Sequence, residues 1–111
     1  MARQSGLSNF ELMVMLAVIR LGDDAYGVPI SDEIEETTGS EVVLGSVYAA
    51  LSRLEQKGLV TSELGEATAE RGGRAKRYFR PTANGLREVR EARSALMRLW
   101  KGLPQIEGGK A

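Results

Sequence analysis

The sequence contains no cysteine and no histidine. Without cysteine the chain can form no disulfide bond and offers no thiolate nucleophile, which suits a reducing compartment, and we expect a cytoplasmic protein. Without histidine it lacks the side chain that most often serves as a general base and as a metal ligand. We therefore expect neither an enzyme nor a metal site, and the absence of any nucleotide-binding motif leads us to expect no cofactor.

Aromatic residues and long apolar runs are also scarce. Only 5% of the 111 residues are aromatic, so the core of this single domain must be mostly aliphatic. No apolar run approaches the length that a membrane-spanning helix requires, and we expect no membrane partner.

The net charge of zero conceals an uneven distribution along the chain. Residues 1–66 contain eleven acidic and four basic side chains, whereas residues 67–111 contain four acidic and eleven basic ones, giving −7 and +7. A neutral total consequently does not exclude a polyanionic partner, because the local charge of a surface governs what it binds.

The stretch from residue 44 to residue 81 carries the clearest structural pattern. Val47, Leu51 and Leu54 recur at helical spacing, and Gly58 follows where a helix needs a left-handed residue. Two short extended runs come next, joined by a tip with two adjacent glycines. A helix followed by a hairpin is the arrangement of a winged helix, in which the helix enters the DNA major groove and the hairpin lies along the backbone.

Three further helices are predicted around this stretch. Ser8 and Glu11 form the pattern of a capping box at the start of the first helix. The second helix is predicted from about residue 26 to residue 39, and Thr82 is the expected N-cap of the last helix.

The proposed recognition helix, at about Leu44 to Lys57, has small side chains away from its apolar stripe. Small side chains let the helix backbone approach base edges closely, and alanine methyl groups can pack on thymine methyl groups. The residues away from the stripe are Ser46, Ala49, Ala50, Ser52 and Arg53, of which we predict Ser46, Ala49 and Arg53 as base readers. Tyr48 allows two interpretations: its hydroxyl reaches a phosphate, or it is a core tyrosine between helix and hairpin.

The predicted wing concentrates positive charge, with no acidic residue between Arg71 and Arg80. A charge run is often only a solvated surface, and cations also protect an edge strand from pairing. The position of this run, at a hairpin tip beside the recognition helix, favours contacts with phosphates. The cluster comprises Arg71, Arg74, Lys76, Arg77 and Arg80, and we predict that the first four of these bind DNA.

The last predicted helix has an apolar stripe whose spacing approximates that of a coiled coil. The stripe comprises Leu86, Val89, Ala92, Leu96, Leu99 and Leu103, with Met97 and Trp100 beside it. It needs a partner, which is either the first helix or another subunit. If two copies of the helix face each other, their Trp100 indoles either hold a flat ligand between them or simply pack in the interface.

Several segments resemble the PadR family of transcriptional regulators, from about Leu7 to about Leu103. These segments are Tyr26-Gly27, Gly45-Ser46-Val47-Tyr48, the run from Leu51 to Val60, and the run from Arg77 to Gly85. The chain has Ser46-Val47-Tyr48 where the family often has Thr-Leu-Tyr, which leaves the base preference open. The resemblance implies a repressor that dimerises through its C-terminal helix, with a dimer interface that can hold flat hydrophobic compounds.

We therefore predict an α+β, mainly helical protein with a winged helix-turn-helix fold of three helices and a two-stranded wing. Residues 1–81 would form the DNA-binding domain, residues 82–103 the dimerisation helix and residues 104–111 a flexible tail. The predicted function is that of a homodimeric, sequence-specific repressor of a pseudo-palindromic operator, released by a small aromatic or hydrophobic ligand. The predicted ligand and dimer residues are Leu96, Met97, Leu99, Trp100 and Leu103. The alternative is a winged-helix protein-interaction module that uses its acidic first half and binds no DNA.

Overall fold

A computed structural model describes residues 6–65 and 75–105. Its helices and strands follow the order α1 (Asn9–Leu21), a short 3-10 turn (Gly22–Asp24), α2 (Gly27–Thr38), α3 (Leu44–Gln56), β1 (Val60–Leu64), β2 (Arg77–Pro81) and α4 (Ala83–Trp100). The two strands pair antiparallel, with Val60 opposite Pro81 and Leu64 opposite Arg77. The predicted fold is confirmed: three helices and a two-stranded wing form a winged helix, and a fourth helix follows.

Local sequence signals define where the first three helices begin and end. The Ser8 hydroxyl accepts a hydrogen bond from the Glu11 amide, and the Glu11 carboxylate accepts one from the Ser8 amide, which completes the capping box. Gly39 and Gly58 have φ angles of 80° and 78°. This left-handed conformation, which glycine adopts without strain, ends α2 and α3 where the sequence predicts.

The core lies between α1, α2, α3 and the base of the hairpin, and it is aliphatic except for Phe79. Its buried members are Val14, Met15, Ala17, Val18, Ala25, Ile30, Ile34, Val47, Ala50, Leu51, Leu54, Leu59, Val60 and Phe79. Ala50 corrects the sequence analysis, which placed it on the exposed side of α3. Because Ala50 lies three residues after Val47 and four before Leu54, it joins the buried face of the helix.

A compact joint connects the start of α4 to the turn after α3. The Thr82 amide donates to the Leu59 carbonyl over 3.0 Å, and the Thr82 hydroxyl donates to the Gly58 carbonyl over 2.8 Å. The Thr82 hydroxyl oxygen also accepts from the Gly85 amide, which makes Thr82 the N-cap of α4 as predicted. Gly85 is buried there, and a Cβ atom at this position would collide with the Leu59 carbonyl oxygen. The threonine and the glycine three residues later thus fix where α4 leaves the domain.

The fourth helix ends at Trp100, three residues before the predicted end at Leu103. Gly102 adopts a φ of 86°, and Pro104 disfavours a helical conformation at the residue before it. All of α4 is described, and Gly85 is its only buried residue. In one copy of the chain, most of this helix is therefore open to solvent.

Candidate nucleic-acid interface

The outward face of α3 is formed by small and polar side chains. The helix buries Val47, Ala50, Leu51 and Leu54, which leaves Gly45, Ala49, Ser52 and Gln56 on the opposite side, all exposed. Ser46 and Arg53 lie along one edge of this face, and Tyr48 and Glu55 lie along the other. The two smallest predicted base readers, Ser46 and Ala49, are both exposed.

Tyr48 is not a core residue, because 45% of its surface is exposed. Its ring edge and hydroxyl lie against Gly27, the first residue of α2, and a Cβ atom at position 27 would collide with them. Glycine at position 27 therefore leaves room for the Tyr48 phenol, and any larger residue there would displace the ring. Of the two interpretations of Tyr48, the buried one is wrong, and the phosphate contact stays a prediction.

A shallow groove separates the start of α2 and the edge of α3 from the wing. It is lined by Tyr26, Val28, Tyr48, Leu64, Ala75, Lys76 and Arg77. The Lys76 ammonium lies 4.9 Å from the centre of the Tyr26 ring, and the Tyr26 and Tyr78 rings meet edge to face at 5.2 Å. The Phe79 amide donates to the Ala25 carbonyl over 2.9 Å, which attaches β2 to the segment before α2. These contacts fix one wall of the groove relative to the other.

The cations of β2 divide between the two faces of the hairpin, because alternate residues of a strand point to opposite sides. Arg77 donates through Nη1 to the Ser62 hydroxyl over 2.9 Å, and that hydroxyl donates to the Glu55 carboxylate on α3. Arg80 approaches Asp23 instead, at 3.5 Å. The predicted cluster of five wing cations is therefore not one surface, and in the described part of the wing Lys76 and Arg77 line the groove.

The structure places six of the eight predicted DNA-binding residues. Ser46 and Ala49 lie on the outward side of α3, whereas Tyr48, Lys76 and Arg77 line the adjoining groove. Arg53 lies on the far edge of α3, away from the wing, where it contacts α1. The other two, Arg71 and Arg74, lie outside the described residues.

Glu11 has a second role that its capping pattern does not reveal. Its side chain is nearly buried, and its carboxylate accepts hydrogen bonds from Arg53 Nε at 2.8 Å and from Lys57 Nζ at 2.8 Å. Burial raises the pKa of Glu11, but hydrogen bonds from Lys57, Arg53 and the Ser8 amide outweigh burial and lower the pKa to about 2. One carboxylate of α1 thus holds Arg53 of α3 and Lys57, the residue that directly follows α3. Sequence reasoning missed this contact because more than forty residues separate the partners.

The predicted ligand and dimer residues lie together toward the end of α4 and just beyond it. They are all exposed in the single chain: Leu96, Met97, Leu99, Trp100 and Leu103. Leu99 is the most exposed of them, at 75%. Exposed apolar residues also occur on α1, at Leu16 and Ile19. Such a concentration of apolar surface is typical of a site that another protein surface or a ligand covers.

A transcriptional regulator family, described as PadR-like, matches residues 15–91 of the chain. The chain belongs to the PadR-like family. It is thus a transcriptional regulator, and members of this family are generally not enzymes. A search among curated proteins found no match.

Solved structures agree with membership of the PadR-like family. A PadR family regulator from Eggerthella lenta is 26% identical, with a TM-score of 0.69, and the match covers 88% of this chain and 83% of that one. Two others share the fold. A transcriptional regulator from Clostridium thermocellum is 24% identical, with a TM-score of 0.70 and coverages of 87% and 91%. A PadR family regulator from Clostridium difficile is 21% identical, with a TM-score of 0.70 and coverages of 90% and 100%.

Two further observations on this PadR-like chain concern metal binding and membrane-spanning helices. Within residues 6–65 and 75–105, no three acidic, histidine or cysteine side chains come together as a candidate metal site. In the same part of the chain, no helix has both the length and the apolar character needed to cross a membrane.

Proposed function

We propose that this regulator binds duplex DNA with the outward face of α3 in the major groove and the wing on the adjacent backbone. The observation that carries the proposal is the continuity of two surfaces. The exposed face of α3 carries the small residues Ser46 and Ala49, and Tyr48 on its wing-side edge lines a groove that Lys76 and Arg77 also line. A helix with small side chains can approach base edges, while cations at a fixed distance can neutralise phosphates.

The groove has the chemistry of a backbone contact. Lys76 is held on the Tyr26 ring and Arg77 on the Ser62 hydroxyl, so each cation loses less side-chain entropy on meeting a phosphate than an unrestrained side chain would. The hydroxyl of Tyr48 lies at the rim of the same groove and can donate to a phosphate oxygen. We assign recognition of sequence to α3 and recognition of phosphates to Tyr48 and the wing, including Arg71 and Arg74.

We further propose that two copies associate through α4. Its exposed apolar residues, with Leu99 the most exposed, need a cover that the single chain does not provide. Two-fold symmetry would then present two recognition helices to a pseudo-palindromic operator whose half-sites lie about one helical turn apart. Sedimentation equilibrium should give twice the chain mass at micromolar concentration, and a monomer under those conditions would contradict this assignment.

The mode of regulation that we propose is repression relieved by a small hydrophobic or aromatic ligand. The family resemblance supports repression over activation. The exposed apolar side chains of Met97 and Trp100 near the end of α4 support binding of a hydrophobic ligand. A ligand between two copies of α4 changes operator binding only if it binds one relative orientation of the subunits more tightly than another. The joint at Thr82 and Gly85 ties α4 to the turn after α3, and we propose that it transmits the relative orientation of the subunits to the recognition helix.

The decisive experiment measures binding to labelled promoter fragments from the gene neighbourhood by fluorescence anisotropy, with scrambled duplexes as competitors. We expect the protein to bind one fragment at least about a thousand-fold more tightly than scrambled DNA. Its affinity should fall with salt by about 0.9 logarithmic units per decade for each phosphate neutralised. Absence of salt-sensitive binding to any duplex would refute DNA binding and would favour the protein-interaction module.

A further inference from the structure

The pair formed by Glu11 and Arg53 joins a buried group to an exposed one. Glu11 is 3% exposed and lies in the first turn of α1, whereas the Arg53 side chain is 50% exposed on an edge of α3. The bond between them uses only the Nε hydrogen of Arg53. The guanidinium carries four more N–H donors on its two terminal nitrogens. These nitrogens form an edge that can donate two hydrogen bonds to guanine in the major groove.

We propose that Glu11 is a positioning residue for operator recognition, which holds Arg53 by its Nε so that the terminal nitrogens of Arg53 are directed at the DNA. The inference rests on the proposed function and adds a residue of α1 to it. Glu11 itself would not touch DNA, since its carboxylate is enclosed by the Ser8 amide, Arg53 and Lys57.

Holding the side chain before DNA arrives has a direct effect on affinity. A free arginine loses rotamer entropy when it is fixed against a base, and prior restraint removes part of that loss. Lys57 prevents the arrangement from placing a net negative charge near the phosphates, because two cations surround one carboxylate. The cluster as a whole stays positive, so it can lie against DNA while keeping Arg53 oriented.

An equivalent pair elsewhere in the fold provides a matched control. Arg20 Nε meets Glu33 Oε2 at 2.7 Å between α1 and α2, with the same pair of atoms as in the Glu11 cluster. Neither residue belongs to α3 or to the wing. Loss of the Glu33 carboxylate therefore removes the same type of ion pair without releasing a residue of the recognition helix.

The test first determines the operator of the wild-type protein by binding-site selection, and identifies the half-site position whose preference Arg53→Ala relaxes. Binding of wild type, Arg53→Ala, Glu11→Gln and the double variant is then measured on the operator and on DNA substituted at that position. A lost bidentate contact corresponds to about 5- to 150-fold in discrimination. We expect Glu11→Gln to lose most of this discrimination, and the double variant to lose no more than Arg53→Ala alone.

Glutamine cannot replace the carboxylate, because its amide offers one acceptor oxygen and turns an NH₂ group toward either Arg53 or Lys57. Glu33→Gln should keep the discrimination of the wild type. If Glu11→Gln does not fold, Glu11→Asp retains the charge on a side chain one methylene shorter, and we expect the same loss of discrimination. A nitrogen-15 spectrum of the free wild-type protein should already show a protected Arg53 Nε proton.

Three results would overturn the proposal. One is that the Glu11 variants bind the operator and the substituted DNA with an unchanged ratio, even if overall affinity falls. The second is additive loss in the double variant, and the third is an unprotected Arg53 Nε proton in the free protein. If the wild-type protein selects no operator at all, the proposed function fails, which is a separate outcome from the failure of Glu11 to position Arg53.

Discussion

Replacing Glu11 by glutamine should lower the free energy of unfolding at neutral pH and remove part of the protein's sensitivity to acid. In the folded chain, the Glu11 carboxylate bridges α1 to Arg53 and Lys57 of the α3 region. Each of these partners is substantially exposed, whereas the carboxylate is not. The substitution leaves two cations that can turn toward water, so the main loss is the interaction of the carboxylate with its donors.

The magnitude follows from the change in proton affinity. The pKa of Glu11 is lowered from 4.5 to about 2. Each tenfold change in proton affinity corresponds to about 1.4 kcal/mol, so the folded state favours the ionised carboxylate by about 3 kcal/mol. Solvent screening of the exposed partners reduces this figure, and we expect Glu11→Gln to cost about 2 kcal/mol at pH 7.

The pH dependence has a definite sign. Because folding lowers the pKa of Glu11, its contribution is complete above the unfolded pKa of 4.5. The contribution is lost as the pH falls through the folded pKa of about 2, where Glu11 binds a proton in the folded state as well. The difference in stability between wild type and Glu11→Gln should therefore be constant near neutrality and shrink between about pH 5 and pH 2.

Urea denaturation at several pH values measures this difference directly. Protein concentration must be the same in every experiment, since association of two copies would add to the apparent stability. Glu33→Gln is the control, because its ion pair is more exposed and should contribute less than about 1 kcal/mol. A wild type and a Glu11→Gln variant with parallel stability curves across the acid range would refute the reasoning.

Three other variants test the wing, the joint and the end of α4. Arg74→Ala combined with Arg77→Ala should weaken binding to operator and random DNA alike, as measured by anisotropy. The slope of log affinity against log salt should fall by about 0.9 for each lost phosphate contact, and an unchanged slope would show that the wing does not contact phosphates. Gly85→Ala should lower the thermal midpoint, because its Cβ meets the Leu59 carbonyl; an unaltered midpoint would mean that the joint adjusts freely. Planar aromatic compounds should quench Trp100 fluorescence, and a dimeric Trp100→Ala should bind them more weakly; equal binding would leave the indole as a packing residue.

The sequence by itself determined the helix boundaries that depend on neighbours in the chain. The capping box of Ser8, the glycines at 39 and 58 and the N-cap at Thr82 act over a few residues, so their spacing alone is informative. The order of helix, strand and strand likewise predicted the winged helix. The fourth helix ends before Leu103 for a reason that is also local, namely Gly102 and Pro104. The prediction missed this end because it followed the apolar stripe as far as Leu103.

Only the tertiary structure decided which side chains share a surface. Ala50 is buried because α3 packs with a wider face than its leucines and valine alone indicate. Arg77 and Arg80 lie on opposite faces of the hairpin, because alternate residues of a strand point to opposite sides. Their closeness in the sequence does not show this. Arg53 meets Glu11 across the fold, since a contact between residues so far apart in the chain depends on how the helices pack, which local spacing does not encode.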